Sequence, residues 1–338
     1  MTKLLYLGNK LSKHGLTKGV IETLGPQLEE LGCEVTYGGE CAQPFSRLFE
    51  MCFKILKQSR KVDYVLIDTY STSAFWYAWI SGMLCRILRI KFICILHGGN
   101  LPRRIQSSKW FCNQIFKFSF ANVAVSRYLN HHFSEAGYNS IIIPNNIEIA
   151  RYKYKVREEF GPKLLWVRSF HRQYNPNMAA DTLKYLLEKY PNAELCMVGP
   201  DKDGSLLEFE NYCSQIGIKQ SVKITGLLSK SEWHALSESY DFFINTTNVD
   251  NTPVSVIEAM ALGLPVISTD VDGIPFLIED GTTGILVHPN DSKQMSFEID
   301  KLILNAEASQ SIASAARYQA ESYDWNLVKY SWQKLLVI

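Results

Sequence analysis

The chain has 338 residues, 46% of them hydrophobic and 20% charged, and a formal net charge of +1. That is too apolar for disorder and, at a mean hydropathy of −0.07, too polar for a polytopic membrane protein. With no global positive field, the charge argues against a nucleic-acid partner.

The chain opens on a strand, Leu4–Gly8, followed by a polar loop, Asn9 to Gly19. The strand-length run Leu4–Leu7 lacks the longer apolar core of a secretory signal, so a cytoplasmic location is expected. Val20, Ile21, Leu24, Leu28 and Leu31 then recur at helical spacing, and Gly32 stands where a helix terminates. Further strands are expected at Cys33–Tyr37, Tyr64–Asp68, Phe92–Leu96, Asn122–Val125 and Ile141–Pro144, with helical patterns between most of them. Ala74 to Leu88 is the most apolar segment, but it is shorter than the roughly 20 residues that span a bilayer, so a buried helix is expected. Two stretches, Phe45–Lys61 and Arg103–Phe120, interleave aromatic and basic residues in the manner of helices that lie on anionic bilayers.

After a polar stretch, Ala150 to Pro162, the pattern restarts. Strands are expected at Leu164–Arg168, Ala193–Val198, Ser221–Thr225, Phe242–Asn245, Pro265–Ser268 and Gly284–Val287. Alternating strands and helices mean parallel sheets covered by helices. The chain is therefore expected to be α/β, with two Rossmann-like doubly wound domains facing a central cleft. The first spans residues 1–155, the second 156–318, and a terminal helical segment, 319–338, packs back on the first. The charge divides with the domains. Residues 1–155 hold 20 Lys/Arg and 10 Asp/Glu, whereas residues 156–338 hold 15 and 24. The basic half suits an anionic partner such as a membrane surface.

The eight cysteines form no C-x-x-C pair, so neither zinc nor a redox couple is indicated. Cys33, Cys94 and Cys196 lie in strand-like runs and are expected in the core.

Chemistry concentrates in Asn245 to Gly273, NTTNVDNTPVSVIEAMALGLPVISTDVDG. Thr252 is expected as helix N-cap, Pro253 as the first helical residue, and Gly263 as the terminator. The N–H groups of Val254, Ser255 and Val256 then form an anion site at the helix start. Asp250 and Glu258 bracket it. Carboxylates on either side of a phosphate suit neutral hydroxyls, hence sugars.

Asp250 and Glu258 resemble the E-x7-E signature of retaining glycosyltransferases of the GT-B fold, and TPVSVIEAMALGLPVIST resembles glycosyltransferase family 4 of the bacterial polysaccharide type. The resemblance implies that Asp250 contacts the hydroxyls of the donor sugar, with Asp replacing the usual Glu, and that Glu258 contacts the nucleotide ribose. It places Arg168 on the diphosphate, with Arg172 near the position of a family Lys that is absent. Gly199 matches a Val-Gly turn, and Gly226 to Ser229, with Leu228, resembles the loop that meets the nucleotide base. In the first half, Gly15 and Gly19 resemble a glycine-rich loop. His97 and Gly98 stand near the reacting centre, and Ser126 lines the acceptor side.

The reaction so implied moves a hexose from a nucleotide-diphosphate sugar, UDP favoured, to a hydroxyl of a lipid-linked or glycan acceptor in cell-surface polysaccharide synthesis, with retention. No metal or other cofactor is expected, because Arg168 and the helix neutralise the diphosphate and the D-x-D pairs Asp201/Asp203 and Asp270/Asp272 suit surface loops. A peripheral position on the inner face of the plasma membrane follows from the lipid-linked acceptor and the basic half. The alternatives are an inactive nucleotide-sugar-binding regulatory protein and a sugar-nucleotide epimerase of the same fold. The spacing within EAMALGLPV argues against the epimerase.

Overall fold

A computed structural model describes residues 1–15 and 18–338. Leu16 and Thr17, part of the polar loop after the first strand, lie outside the described residues. Among the described residues the chain forms two compact units, Met1–Pro144 with Val328–Ile338, and Asn145–Leu327.

In the first unit, six strands make one parallel sheet. They are β1 (Lys3–Leu7), β2 (Glu34–Gly38), β3 (Tyr64–Thr69), β4 (Phe92–Leu96), β5 (Ala121–Ala124) and β6 (Ile141–Ile142), in the order β2-β1-β3-β4-β5-β6. Strands β3 and β4 are buried along their whole length, as strands covered by helices on both faces must be. The strand order reverses between β1 and β3, so the carboxyl ends of these strands flank a topological switch point. The helix Phe75–Ile87 accounts for the most apolar segment and buries Phe75, Ala78 and Cys85. No helix among the described residues is long and apolar enough to cross a membrane.

The second unit repeats the plan with β7 (Lys163–Val167), β8 (Glu194–Val198), β9 (Val222–Gly226), β10 (Phe242–Asn245), β11 (Val266–Thr269) and β12 (Ile285–Val287), in the order β12-β11-β10-β7-β8-β9, all parallel. Its switch point lies between β7 and β10. Trp166, Phe170, Phe209 and Phe242 fill one side of this sheet, and Phe243, Val256, Ile257 and Met260 fill the other. The twelve strands correspond to the twelve expected from sequence, because period and breaker residues both mark short buried strands. All eight cysteines are free, and Cys33, Cys94 and Cys196 are buried.

The division between units falls between Pro144 and Asn145, earlier than the expected 155/156. The polar stretch is not a free linker. Ile147 and Tyr152 enter the core of the second unit, and Arg157 is buried, donating to the carbonyls of Tyr240 (2.9 Å), Gly263 (2.8 Å) and Ser237 (3.0 Å). A charged side chain that satisfies three buried carbonyls is invisible to a composition argument. The terminal helix, Trp325–Leu336, begins in the second unit, and its residues from Val328 onward group with the first.

Candidate active site

At the switch point of the second unit, Arg168 follows the last residue of β7. Its backbone N–H continues the ladder to the Val198 carbonyl at 3.0 Å. Gly199, at φ +148°, lies so close that a Cβ would sit 1.8 Å from the Arg168 carbonyl oxygen. Only glycine permits that approach. The Arg168 guanidinium packs over the Tyr174 ring, 4.4 Å from its centroid, and forms an ion pair with Asp250. Burial pulls the guanidinium below its ordinary value, offset in part by Tyr174. Arg168 Nε is buried without a hydrogen-bond partner among the described residues.

The loop that carries Asp250 is tied down from beneath. Trp166 Nε1 donates to Thr246 Oγ1 (3.1 Å), which in turn donates to the Tyr174 carbonyl (2.8 Å). Asn248 N donates to the Gln173 carbonyl, and Gln173 Nε2 to the Val249 carbonyl, each at 2.8 Å. Asp250 Oδ1 accepts from Asn251 N at 2.9 Å. Thus the segment Arg172–Tyr174 supports both the guanidinium and the loop opposite it. Sequence reading missed Gln173 and Tyr174 in this role, because their partners lie more than seventy positions away.

The helix after this loop spans Val254–Ala261, with Pro253, not Thr252, as its N-cap. Thr252 makes no capping bond and its hydroxyl faces Asn251 Oδ1 at 3.5 Å. The anion site is also narrower than expected. Val256 N donates to the Pro253 carbonyl at 3.1 Å, a tightened first turn that removes it from the free donors. Val254 and Ser255 keep N–H groups without an acceptor among the described residues, and Ser255 Oγ is buried there without a partner.

One and a half turns in, Glu258 is 4% exposed. Its Oε1 accepts from Tyr152 OH and pairs with Lys230 Nζ, each at 2.7 Å. Burial and the Glu258 charge push the Tyr152 hydroxyl well above its ordinary value. Lys230 opens a helix, Lys230–Ser237, that Ser229 and Glu232 close in a capping box. The Gly226–Ser229 loop therefore delivers a cation to Glu258, with Leu228 half-buried against the core beside it. Neither Tyr152 nor Lys230 was singled out from sequence. The capping box in SKSE was the available signal for a helix start, but not for its partner.

Arg172 stands apart from this group. It is 70% exposed and pairs with Glu208 at 2.5 Å. Asp203 accepts from the Arg172 and Ser205 backbones, and Asp201 from those of Asp203 and Gly204, so these two carboxylates cap their own turn.

In the first unit, β1, β3 and β4 bring together three polar side chains that the sequence keeps far apart. Asp68 Oδ1 accepts from Tyr6 OH (3.0 Å) and contacts His97 Nε2 (2.9 Å). The side chains of His97 and Asp68 are 5% and 1% exposed. His97 Nδ1 and Asp68 Oδ2 have no partner among the described residues. A Cβ on Gly8 would lie 2.3 Å from Asp68 Oδ2, so this glycine makes room for the carboxylate. Burial and the Asp68 charge raise the Tyr6 hydroxyl well above its ordinary value, keeping it a donor. Gly98 packs against the Ser71 backbone. Ser126, expected on the acceptor side, is the N-cap of the helix Arg127–Glu135, and its hydroxyl accepts from Leu129 N at 3.1 Å. Gly15, at φ +78°, closes a short turn over Ser12–His14, and a Cβ there would meet no atom of the described residues within 4 Å.

The profile of the family described as glycosyl transferases group 1 matches residues 150–319. The chain belongs to this family. Over 148 residues this group 1 glycosyltransferase is 29% identical to a sulfoquinovosyl transferase of Arabidopsis thaliana, covering 43% of this chain and 28% of that protein. It is 22% identical over 251 residues to an amylovoran biosynthesis glycosyltransferase of Erwinia amylovora, covering 70% of this chain and 61% of the relative. The aligned region thus spans less than two thirds of the length of either protein. Among solved structures, HepE of Anabaena in complex with UDP superposes with a TM-score of 0.78 at 18% identity, over 100% of both chains. That likeness establishes the GT-B architecture, two parallel six-stranded α/β units.

Proposed function

We propose that this chain is a retaining hexosyltransferase of the family 4 kind. It moves a sugar from UDP-sugar to a hydroxyl of a lipid-linked or glycan acceptor, in the assembly of a cell-surface polysaccharide. The observation that carries the proposal is the grouping at one switch point of Arg168, Asp250 and the open helix start at Val254 and Ser255, with Glu258 further along the same helix. UDP in the HepE complex and amylovoran biosynthesis in the name of the Erwinia relative support the choice of donor and pathway class.

In this reading the diphosphate rests on the Val254 and Ser255 amides and draws Arg168 away from Asp250. The carboxylate so released accepts hydrogen bonds from donor-sugar hydroxyls, and Glu258, held by Tyr152 and Lys230, accepts them from the ribose. Negative charge grows on the leaving diphosphate as the glycosidic bond breaks. Fixed amide dipoles and a buried guanidinium stabilise that charge more than they stabilise the ground state. Neutralisation by these groups leaves the reaction without a requirement for metal. His97, oriented by Asp68, offers a hydrogen-bond acceptor to a sugar hydroxyl in the first unit.

The test is a thermal-shift series with UDP, other nucleotides and their sugars, followed by NMR of the product anomer. UDP and one UDP-sugar are expected to stabilise the protein. Arg168→Ala and Glu258→Ala are expected to abolish the shift, and the product is expected to keep the donor's anomeric configuration. An undiminished shift in both variants overturns the site.

A further inference from the structure

The helix Pro44–Gln58 carries two apolar faces. One is ordinary core, with Met51 and Ile55 buried against the first unit's sheet. The other is bare. Phe45 is 88% exposed, Phe49 74%, Phe53 55% and Leu56 53%. These positions recur every three or four residues, so they form one stripe along the helix. Contiguous exposed aromatic surface of this kind marks a docking face.

The surrounding charge identifies what docks. Residues 44–61 hold Arg47, Lys54, Lys57, Arg60 and Lys61 against a single acid, Glu50. Glu50 is turned inward, accepting from the backbones of Gly39 (3.2 Å), Glu40 (3.0 Å) and Cys41 (3.0 Å) and pairing with Lys54 (2.9 Å). Lys57, Arg60 and Lys61 are exposed at the end of the stripe. The other aromatic-basic segment, Arg103–Phe120, also exposes rings, at Trp110 (62%), Phe118 (55%) and Phe120 (47%), but these have ring or cation neighbours. Phe111 packs edge-on among Trp76, Trp79 and Trp110, at 5.0, 5.4 and 5.0 Å, and Arg86 lies 3.6 Å from the centroid of the Phe118 ring. Each of its exposed rings thus meets an aromatic or cationic neighbour within the unit, Phe120 lying 5.1 Å from the Tyr64 ring.

We propose that the helix Pro44–Gln58 docks on an anionic lipid bilayer, its four-residue apolar stripe inserted at the headgroup boundary and Lys57, Arg60 and Lys61 among the phosphates. The proposal rests on the reading of the acceptor as lipid-linked. An apolar stripe beside exposed cations is the arrangement that binds anionic interfaces. A second copy of this chain is a poorer occupant, because a two-fold contact on this face would set like charges against each other.

Retention of the full chain on vesicles of phosphatidylcholine, with and without phosphatidylglycerol, tests this. Binding to the anionic vesicles is expected, weakened by salt and by Lys57→Glu with Lys61→Glu. Phe45→Ser with Phe49→Ser is expected to lower it at least about tenfold, with thermal stability and the UDP-induced shift unchanged. No retention at low salt, or equal retention of the Phe variant, overturns the proposal. A dimer in solution that the Phe variant dissociates also overturns it, assigning the face to a second copy. Vesicle binding without transferase activity refutes the enzymatic reading and supports the docking. Transfer to a lipid-linked acceptor without vesicle retention does the reverse.

Discussion

Gly199 and Arg168 are locked together by main-chain geometry, since a methyl group on Gly199 would collide with the Arg168 carbonyl at 1.8 Å. The guanidinium is thus aimed by a neighbouring strand's turn as well as by its own. Gly199→Ala forces strained left-handed backbone and moves Arg168. We expect a loss of about 2–4 kcal/mol of stability and a nucleotide affinity reduced at least tenfold. Denaturant unfolding and UDP titration measure the two. An alanine variant of unchanged stability and affinity would show that the turn is not what places Arg168.

Asp68 fixes the tautomer of His97. A carboxylate accepting from Nε2 leaves Nδ1 as the acceptor nitrogen, and Nδ1 is the buried atom without a partner. Asp68→Asn substitutes an amide that can donate to Nε2 and reverse that tautomer. Activity is expected to fall by one to two orders of magnitude, through kcat more than through the KM for donor. Asn is also expected to cost about 1–3 kcal/mol, because a buried network loses an acceptor. A His97→Ala variant should then gain little further loss from Asp68→Asn, which a double-mutant cycle reads directly.

Tyr152 and Lys230 share Glu258 Oε1 but differ in burial. Tyr152 is 5% exposed, whereas the Lys230 side chain is 68% exposed. Tyr152→Phe is therefore expected to destabilise by about 1–2 kcal/mol. Lys230→Met is expected to stay within about 0.5 kcal/mol, while changing nucleotide affinity several-fold. Equal stability losses from the two would contradict this assignment. Chemical denaturation beside UDP titration separates the cases.

Glu50 gives the fold a pH dependence. Burial opposes its charge, but hydrogen bonds from Lys54 and Cys41 outweigh that and bring its carboxyl from 4.5 down to about 2. A folded value below the unfolded one contributes stability that is fully present above about 4.5 and is lost as pH falls toward about 2. Glu50→Gln is expected to lower the melting temperature at neutral pH and to flatten its decline across that acid window. A variant whose decline parallels the wild type would refute this.

The sequence by itself determined the twelve strands and their grouping into two α/β units, because period, glycine and proline act locally. It likewise marked Arg168 and His97, just past strand ends, and Asp250 and Glu258, in the loop and the helix that follow β10. Only the tertiary structure decided their company. Tyr152 reaches Glu258 across 106 positions, Asp68 meets His97 across 29, and Arg157 holds the polar stretch onto the second unit. Such pairings depend on which strand ends the crossovers bring side by side, and no local pattern encodes that. The overall charge of +1 concealed a basic half; the fold went further and turned the aromatic stripe of the helix Pro44–Gln58 to solvent, at Phe45, Phe49 and Phe53.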